Sequence, residues 1–210
     1  MQSSWNIFAD KYNNLKALPI YTYGFEVLKK KTKKVTRIDD IIIELARNMF
    51  NTMHKANGVG LAAPQIGLDI ALAVIDISHV EDEIKTEPLI LINPKINDSF
   101  GEVSLEEGCL SIPHVRASVT RPSEVYIEYQ DLDLNKKYIE VDGFLARVAQ
   151  HEIDHLNGVL FVDHLRKEER QRLKEELTHI RKGLVMTDYL LADVSKKDKK
   201  IDTKKIYLNT

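Results

Sequence analysis

The chain contains very little cysteine, no long apolar run and almost no excess charge. One cysteine among 210 residues excludes an internal disulfide and suits a reducing compartment. No apolar run approaches the roughly 18 residues that a membrane span needs, and residues 1–5 lack the plan of a signal peptide. A net charge of −2 gives no general reason to expect nucleic-acid binding. We therefore expect a cytoplasmic protein that binds neither membranes nor DNA.

The segment His151-Glu152-Ile153-Asp154-His155 has the spacing of a metal site. Residues four apart on a helix lie on one face, about one turn from each other. His151 and His155 can therefore hold one ion, with Glu152 beside them as a general base. Such a helix would begin at Gly143 and end at Asn157-Gly158. Because the same spacing also occurs by chance on solvated helices, a third ligand is needed to support a site.

The one cysteine, Cys109, is the candidate for the third ligand. A catalytic zinc or iron ion takes about three protein ligands and keeps one position open. Gly108 precedes Cys109 in a segment that reads as a strand edge or turn, where another backbone can come close. A thiolate with two imidazoles accepts ferrous iron as readily as zinc or nickel, so these ligands do not name the metal. The alternative is that Cys109 is a small buried apolar residue.

A third segment, residues 58–67, combines glycines with small apolar residues. Gly58 and Gly60 allow a tight turn and the close approach of a ligand. The segment lacks the Gly-Lys-Ser/Thr ending of a phosphate loop. Gln65 is its one polar side chain between Leu61 and Gly67, and its amide can donate to an oxyanion. The alternative is a glycine- and alanine-rich turn packed under a sheet.

These three segments, in this order, resemble the signature motifs of the bacterial peptide deformylases. They are Gly58-Val59-Gly60-Leu61-Ala62-Ala63-Pro64-Gln65, Glu107-Gly108-Cys109-Leu110-Ser111 and Gln150-His151-Glu152-Ile153-Asp154-His155. The resemblance covers residues 18–184 as a catalytic domain, leaving an N-terminal extension at 1–17 and a lysine-rich tail at 185–210. It implies removal of the formyl group from N-formylmethionyl nascent peptides, with release of formate.

The resemblance also implies a metal cofactor. One divalent ion per chain, in the first place Fe²⁺ with Zn²⁺, Ni²⁺ or Co²⁺ as substitutes, would be held by Cys109, His151 and His155. Glu152 would take a proton from the attacking water and pass it to the departing amine.

The resemblance further implies which residues contact the substrate. The Gln65 amide and the Leu110 backbone N–H would hold the oxyanion. The peptide main chain would pair like an added strand, and the methionine side chain would fill an apolar pocket. The residues expected to bind these two parts of the substrate are Val59, Gly60, Gly108, Leu145 and Val148.

Two arginines and one further acid near these motifs also call for interpretation. Asp154 points away from Glu152 on the helix, and we expect it to pair with Arg121 and to fix the helix against the sheet. Arg116 is either an anion clamp or a surface residue, and the sequence favours neither.

The pattern of apolar residues predicts an α+β fold. With 43% hydrophobic residues, the chain can form one domain with a sizeable core. The pattern predicts a helix that is capped near Asp39. It also predicts strands at 70–77, 89–92, 115–120, 124–129 and 137–141, and the strand at 89–92 is expected to end at Asn93-Pro94. An amphipathic helix over 165–184 is expected to bury a stripe that reaches Leu184. We expect antiparallel β-sheets around a central metal-binding helix, with a C-terminal helix.

The C-terminal part of the chain is basic. From residue 164 to 210 there are 13 Lys and Arg against 8 Asp and Glu, a net charge of +5, whereas the preceding part carries −7. Since deformylases act on chains that emerge from the ribosome, this end is a candidate for docking on ribosomal RNA through phosphate contacts. The alternative is a solvated helix followed by a disordered tail.

Two other classes of function remain open at this stage. One is a zinc endopeptidase with the same His-Glu-x-x-His motif. Such an enzyme would need a third ligand that follows the motif in the sequence, and His164 is the candidate. The other is a non-catalytic binding protein with the same fold. Glu152 and Gln65 speak against the second, because binding alone requires neither.

Overall fold

The structure is a computed structural model that describes residues 15–80 and 86–196, and it has the predicted α+β architecture. Most of the N-terminal extension and the lysine-rich end of the tail lie outside these residues. No helix in the described part is long and apolar enough to cross a membrane. The strands are β1 (Gly60–Ala62), β2 (Leu72–Ile75), β3 (Leu89–Phe100), β4 (Val103–Cys109), β5 (Ile112–Arg121), β6 (Glu124–Gln130) and β7 (Lys136–Asp142). The helices are α1 (Asp40–Lys55), α2 (Gly143–Leu156), α3 (Lys167–Arg172) and α4 (Lys174–Arg181).

The main sheet has five antiparallel strands in the order β1-β2-β3-β6-β7, and β4 and β5 form a separate hairpin. The sheet lies between α1 and α2, as the residues of β2 demonstrate. Leu72 and Val74 pack in the cluster that contains the apolar face of α1. Ala73 and Ile75 point the other way, into the cluster that contains the apolar face of α2. Burial on both faces explains why this strand is a continuous apolar run.

Helix α2 has the predicted limits and stands against the sheet with its metal motif at the C-terminal end. It begins at Gly143 and ends at Leu156, followed by Asn157. Gly158 adopts a left-handed φ of 76°. A side chain there would also meet the backbone of Lys29, because a Cβ would lie 2.7 Å from its carbonyl carbon. A glycine is therefore required at the end of this helix.

The prediction that Asn93-Pro94 ends a strand is wrong, because β3 continues to Phe100. Asn93 has a left-handed φ of 51°, and the pairing with β6 shifts register between Ile92 and Lys95. This irregularity is a β-bulge, and it accommodates Pro94, which has no N–H to donate to the neighbouring strand. The Asn93 amide stabilises it by bonding the backbone N–H of Val35 at 2.8 Å and its carbonyl, also at 2.8 Å.

The predicted helix over 165–184 is two short helices, α3 and α4, which meet at Leu173. Leu177 and Ile180 are buried as expected, but Leu184 is 67% exposed. The cause is that α4 has ended at Arg181 and Gly183 turns the chain with a φ of 74°. The inclusion of Leu184 in the buried stripe was therefore wrong.

Beyond α4 the chain packs against the segment around Ile20. Ile20 and Leu191 form a parallel bridge, with hydrogen bonds of 2.8 Å from Ile20 N–H to the Leu190 carbonyl and 2.9 Å from Ala192 N–H to the Ile20 carbonyl. Residues 186–192, called the C-terminal strap below, thus lie against the folded domain.

Candidate active site

Cys109, His151 and His155 converge at the C-terminal half of α2. Their ligand atoms all lie within 4.8 Å of one another, and Cys109 Sγ is 3.2 Å from His155 Nε2. The helix supplies both imidazoles, and Cys109 arrives at the end of β4. One thiolate and two imidazoles that point to a common centre fit a divalent transition metal.

The environment orients His151 and keeps His155 neutral. Burial alone would lower the pKa of His151, but its hydrogen bonds with Cys109 and Glu107 raise that pKa well above its ordinary value. His151 Nδ1 lies 3.0 Å from a Glu107 oxygen, which leaves Nε2 for the metal. Burial, followed by the positive charge of His151, lowers the pKa of His155 well below its ordinary value. The neutral imidazole that results is the form that binds a metal.

Glu107, which was not predicted as a site residue, is the centre of a buried ionic cluster. It accepts hydrogen bonds from Arg121 Nε at 2.6 Å and from Arg147 Nη1 at 2.7 Å, and its side chain is 4% exposed. Burial alone would raise its pKa, but the hydrogen bonds from His151 and Arg121 outweigh burial and hold that pKa well below its usual range. Glu107 therefore stays charged and fixes the orientation of His151.

Both unpredicted members of this cluster carry a signal in the sequence. Glu107 is two residues before Cys109 on a strand, so the two side chains share a face. Arg147 is four residues before His151 on α2 and shares its face in the same way. Both residues could therefore have been predicted from their spacing to the metal motif.

Asp154 and Arg121 form the predicted pair, with Arg121 Nη1 2.6 Å from Asp154 Oδ2. The same carboxylate oxygen lies 2.7 Å from His164 Nε2. His164, the downstream ligand that an endopeptidase would need, is thus bound to Asp154 and lies outside the Cys109 cluster. Burial would raise the pKa of Asp154, but the hydrogen bonds from His164 and Arg121 lower it. Arg116 lines the cleft and lies 3.7 Å from Glu106.

Glu152 is 3% exposed and points across the cleft to Gly60. A Cβ at Gly60 would be 2.4 Å from Glu152 Oε1, so the glycine makes room for the carboxylate. Its other oxygen, Oε2, is buried and has no hydrogen-bond partner among the described residues. Burial raises the pKa of Glu152 to about 7. Such a group can both take and return a proton near neutral pH.

Gln65 and Leu110 are both neighbours of the cysteine. The side-chain oxygen of Gln65, Oε1, accepts a hydrogen bond from the Ala62 backbone N–H at 2.7 Å, which orients the side-chain amide. Its Nε2 then lies 3.5 Å from Cys109 Sγ and 3.4 Å from the Ser111 hydroxyl. Leu110 stands in the turn between β4 and β5, directly after Cys109. Gln65 and Leu110 both line the cleft beside the cysteine.

A cleft of about 500 Å³ opens beside these groups. Four of the five residues that were predicted to bind substrate line it, namely Val59, Gly60, Gly108 and Val148. Leu145 packs against the apolar cluster of α2 and is not among the lining residues. The aromatic side chains of Phe144 and Tyr189 line the cleft without having been predicted.

Comparison with known proteins agrees with this geometry. A family model of polypeptide deformylases matches residues 17–171. The chain is 46% identical to a peptide deformylase of Chlorobium luteolum over 175 residues, which is 83% of this chain and 92% of that protein. It resembles the solved peptide deformylase of Synechococcus elongatus in complex with actinonin, with TM-score 0.71 and 44% identity over 84% of this chain and 94% of that one. It also resembles the Legionella pneumophila peptide deformylase, with TM-score 0.73 and 38% identity over 80% and 98% of the two chains.

Proposed function

This chain belongs to the peptide deformylase family, and we propose that Glu152 moves the protons of the family's reaction beside a metal held by Cys109, His151 and His155. Members of the family are metal-dependent hydrolases that remove the N-formyl group from the methionine of new polypeptides. The observation that carries the proposal is the buried carboxylate of Glu152, adjacent to three converging metal-type ligands. The substrate's synthesis on ribosomes supports a cytoplasmic location.

The residues divide the chemistry between them. When bound, a divalent ion supplies Lewis-acid polarisation of water and of the formyl oxygen. Glu152 accepts the proton of the attacking water, and the pKa that burial raises to about 7 lets it return that proton to the departing amine. The Gln65 Nε2 group and the Leu110 N–H donate to the oxyanion. Glu107 holds His151 in the tautomer that leaves its Nε2 for the ion.

The substrate peptide is proposed to lie along the cleft as an added strand. Val59, Gly60 and Gly108 line the cleft, and β1, which begins at Gly60, is an edge strand of the main sheet to which a further strand can be added. The methionine side chain is proposed to contact Val59, Phe144 and Val148, since these apolar groups line the same cleft. Phe144 replaces Leu145 in this proposal.

Substitution of Glu152 by alanine tests the proposal. The variant should keep close to one metal ion per chain, because Glu152 is not a ligand. It should lose more than nine-tenths of its activity on formyl-Met-Ala-Ser, since proton carriers commonly contribute about 10²–10⁴-fold. Glu140→Ala, a change at an exposed residue of β7, is the matched control and should behave as the wild type. A metal-free Glu152→Ala protein, or one with near-normal activity, would contradict the proposed role.

The native ion is proposed to be Fe²⁺, with Zn²⁺, Ni²⁺ or Co²⁺ as substitutes. The support is a thiolate in an otherwise imidazole site, a soft donor set that accepts ferrous iron. Thiolate and ferrous iron are both sensitive to oxygen. Enzyme loaded with iron should therefore lose activity in air much faster than enzyme loaded with nickel. Equal lifetimes of the two forms would argue against iron.

The basic C-terminal helices are proposed to dock on the ribosome. A surface groove of about 350 Å³ beside α3 and α4 is lined by a cluster of cationic side chains and an aromatic ring, namely Lys167, Arg170, Lys174, Arg181 and Tyr23. Phosphate contacts by such residues supply affinity without sequence readout and weaken steeply as salt rises. Four cationic side chains of this part of the chain therefore share one surface.

Charge reversal in the groove tests this docking. The double variant Lys167→Glu, Lys174→Glu should co-sediment less with ribosomes at low salt, while turnover of a short formyl peptide should not change. Lys55→Glu combined with Lys95→Glu, two positions outside the groove, provides a control of equal charge. If both double variants pellet as the wild type does, the basic end serves only as a solubilising surface.

A further inference from the structure

The C-terminal strap, residues 186–192, is held at both ends and passes the active-site cleft. At its start, His114 Nε2 lies 2.8 Å from the Met186 carbonyl. At its end, it forms the bridge to Ile20. Tyr189 stands between these anchors and lines the cleft. The strap lies past residue 171, where the match to the family model ends.

Tyr189 reaches the turn that carries the metal-site cysteine. Its hydroxyl donates to the Leu110 carbonyl at 2.9 Å. The peptide group of that carbonyl also includes the Ser111 N–H, which lies 3.4 Å from Cys109 Sγ. The Leu110–Ser111 peptide group therefore makes two contacts. Its oxygen accepts a hydrogen bond from Tyr189, and its N–H points to the sulfur of Cys109.

Two further contacts connect the strap to the same region. Ile20, which the strap holds, begins a stretch whose Tyr21 N–H donates to the Gln65 carbonyl at 2.7 Å. In the same stretch, the Tyr23 N–H donates to the Ser111 carbonyl at 2.8 Å. The strap is thus linked to the backbone of both segments that face the proposed oxyanion.

We propose that Tyr189 is a positioning residue that fixes the Leu110–Ser111 peptide and so directs the Ser111 N–H at the Cys109 sulfur. The inference rests on the proposed ligand role of Cys109. A donor on the carbonyl of an amide polarises that amide and strengthens its N–H as a donor. A hydrogen bond to a ligand sulfur in turn withdraws charge from it and fixes its direction. The same restraint holds the turn from which the Leu110 N–H faces the substrate.

Tyr189→Phe in the full-length protein tests the inference, because it removes the hydroxyl and keeps the ring. In the Co²⁺-loaded protein, the thiolate-to-cobalt charge-transfer band should shift to longer wavelength, since a weaker N–H···S bond leaves more charge on sulfur. The kcat for formyl-Met-Ala-Ser should fall about three- to tenfold, less than the roughly 10²–10³-fold that loss of an oxyanion donor costs. KM should change less than about twofold, because substrate contacts stay. Tyr138→Phe, at a 51% exposed tyrosine of β7, is the matched control and should leave the band and kcat unchanged.

The possible outcomes separate the inference from the proposals beneath it. A Tyr189→Phe protein that only melts earlier, with the wild-type band and kcat, overturns the positioning role. A raised KM at constant kcat also overturns it, because Tyr189 would then contact substrate. If the Co²⁺-loaded wild type shows no thiolate-to-cobalt band, the ligand role of Cys109 fails instead. If that band is present and shifts in Tyr189→Phe with a lower kcat, the inference is supported.

Discussion

Gly60 determines where the carboxylate of Glu152, the proposed proton carrier, can lie. A methyl group at Gly60 would fall within 2.9 Å of three atoms of Glu152, and both positions are buried. Gly60→Ala should therefore displace the Glu152 carboxylate and reduce kcat by on the order of 10²-fold, the contribution of a lost proton shuttle. Bound metal should remain near one ion per chain, because none of the proposed ligands moves.

Gly108→Ala is the structural comparison for this change. The nearest atom to a Cβ at Gly108 is 3.5 Å away, on Arg116, which is ordinary contact. Its melting temperature and metal content should stay at wild-type values, measured by calorimetry and metal analysis. A Gly60→Ala enzyme with normal kcat would show that Glu152 does not need its present position.

The sequence predicted those members of the candidate site that belong to local patterns and missed those that depend on distant contacts. The histidines of α2 follow from helical spacing, and Asp154 pairs with Arg121 as expected. Glu107 could have been found from strand alternation. Tyr189 could not, because it bonds Leu110 across 79 positions of the chain and no periodicity connects them. Only the tertiary course of the strap brings them together.

Among the elements, α1 shows how a cap supports the site from a distance. The Asp39 side chain accepts the Ile42 N–H at 3.2 Å at the start of this helix, and α1 leads directly to the Gly58 turn. Asp39→Ala should lower the free energy of unfolding by about 1 kcal/mol, the usual cost of a lost cap. Asp39→Asn keeps a capping oxygen while losing the contact with Arg37 at 3.2 Å, and should cost much less. Equal losses in urea unfolding would assign the effect to the ion pair.

Element limits were predictable where the backbone is regular and failed where it is interrupted. The ends of α2 follow from Gly143 and Asn157-Gly158. In β3, a proline that normally ends a strand is accommodated by a bulge, because the Asn93 side chain supplies bonds to Val35. The break at Leu173 between α3 and α4 interrupts a run with helical spacing. Apolar spacing reports which residues are buried, but not such local changes in backbone conformation.

At the scale of the whole molecule, Glu107 links the β4–β5 hairpin to α2 through Arg121, Arg147 and His151. Its pKa in the folded protein is lowered from 4.5. The charged cluster therefore contributes stability above about pH 4.5, and that contribution is lost as pH falls towards the folded pKa. Glu107→Gln should be less stable than wild type by about 3 kcal/mol at pH 7.

That difference should narrow as the pH is lowered from 5 to 3, in denaturant titrations of the metal-free proteins. Glu106→Gln changes the neighbouring residue, whose side chain is 65% exposed, and its curve should run parallel to wild type. A Glu107→Gln deficit that stays constant with pH would show that packing, and not charge, accounts for it.

The bridge between Ile20 and Leu191 also has a consequence for the order in which the enzyme is made. Translation delivers Ile20 early, Cys109, His151 and His155 later, and Tyr189 and Leu191 after all of them. A growing chain therefore passes through a stage at which every proposed metal ligand has been synthesised but Leu191 and Tyr189 have not. At that stage Ile20 has no bridge partner, and the Leu110 carbonyl has no hydrogen bond from the Tyr189 hydroxyl. An enzyme that serves newborn polypeptides thus receives the proposed restraint on the turn after Cys109 only once all its proposed metal ligands have been synthesised.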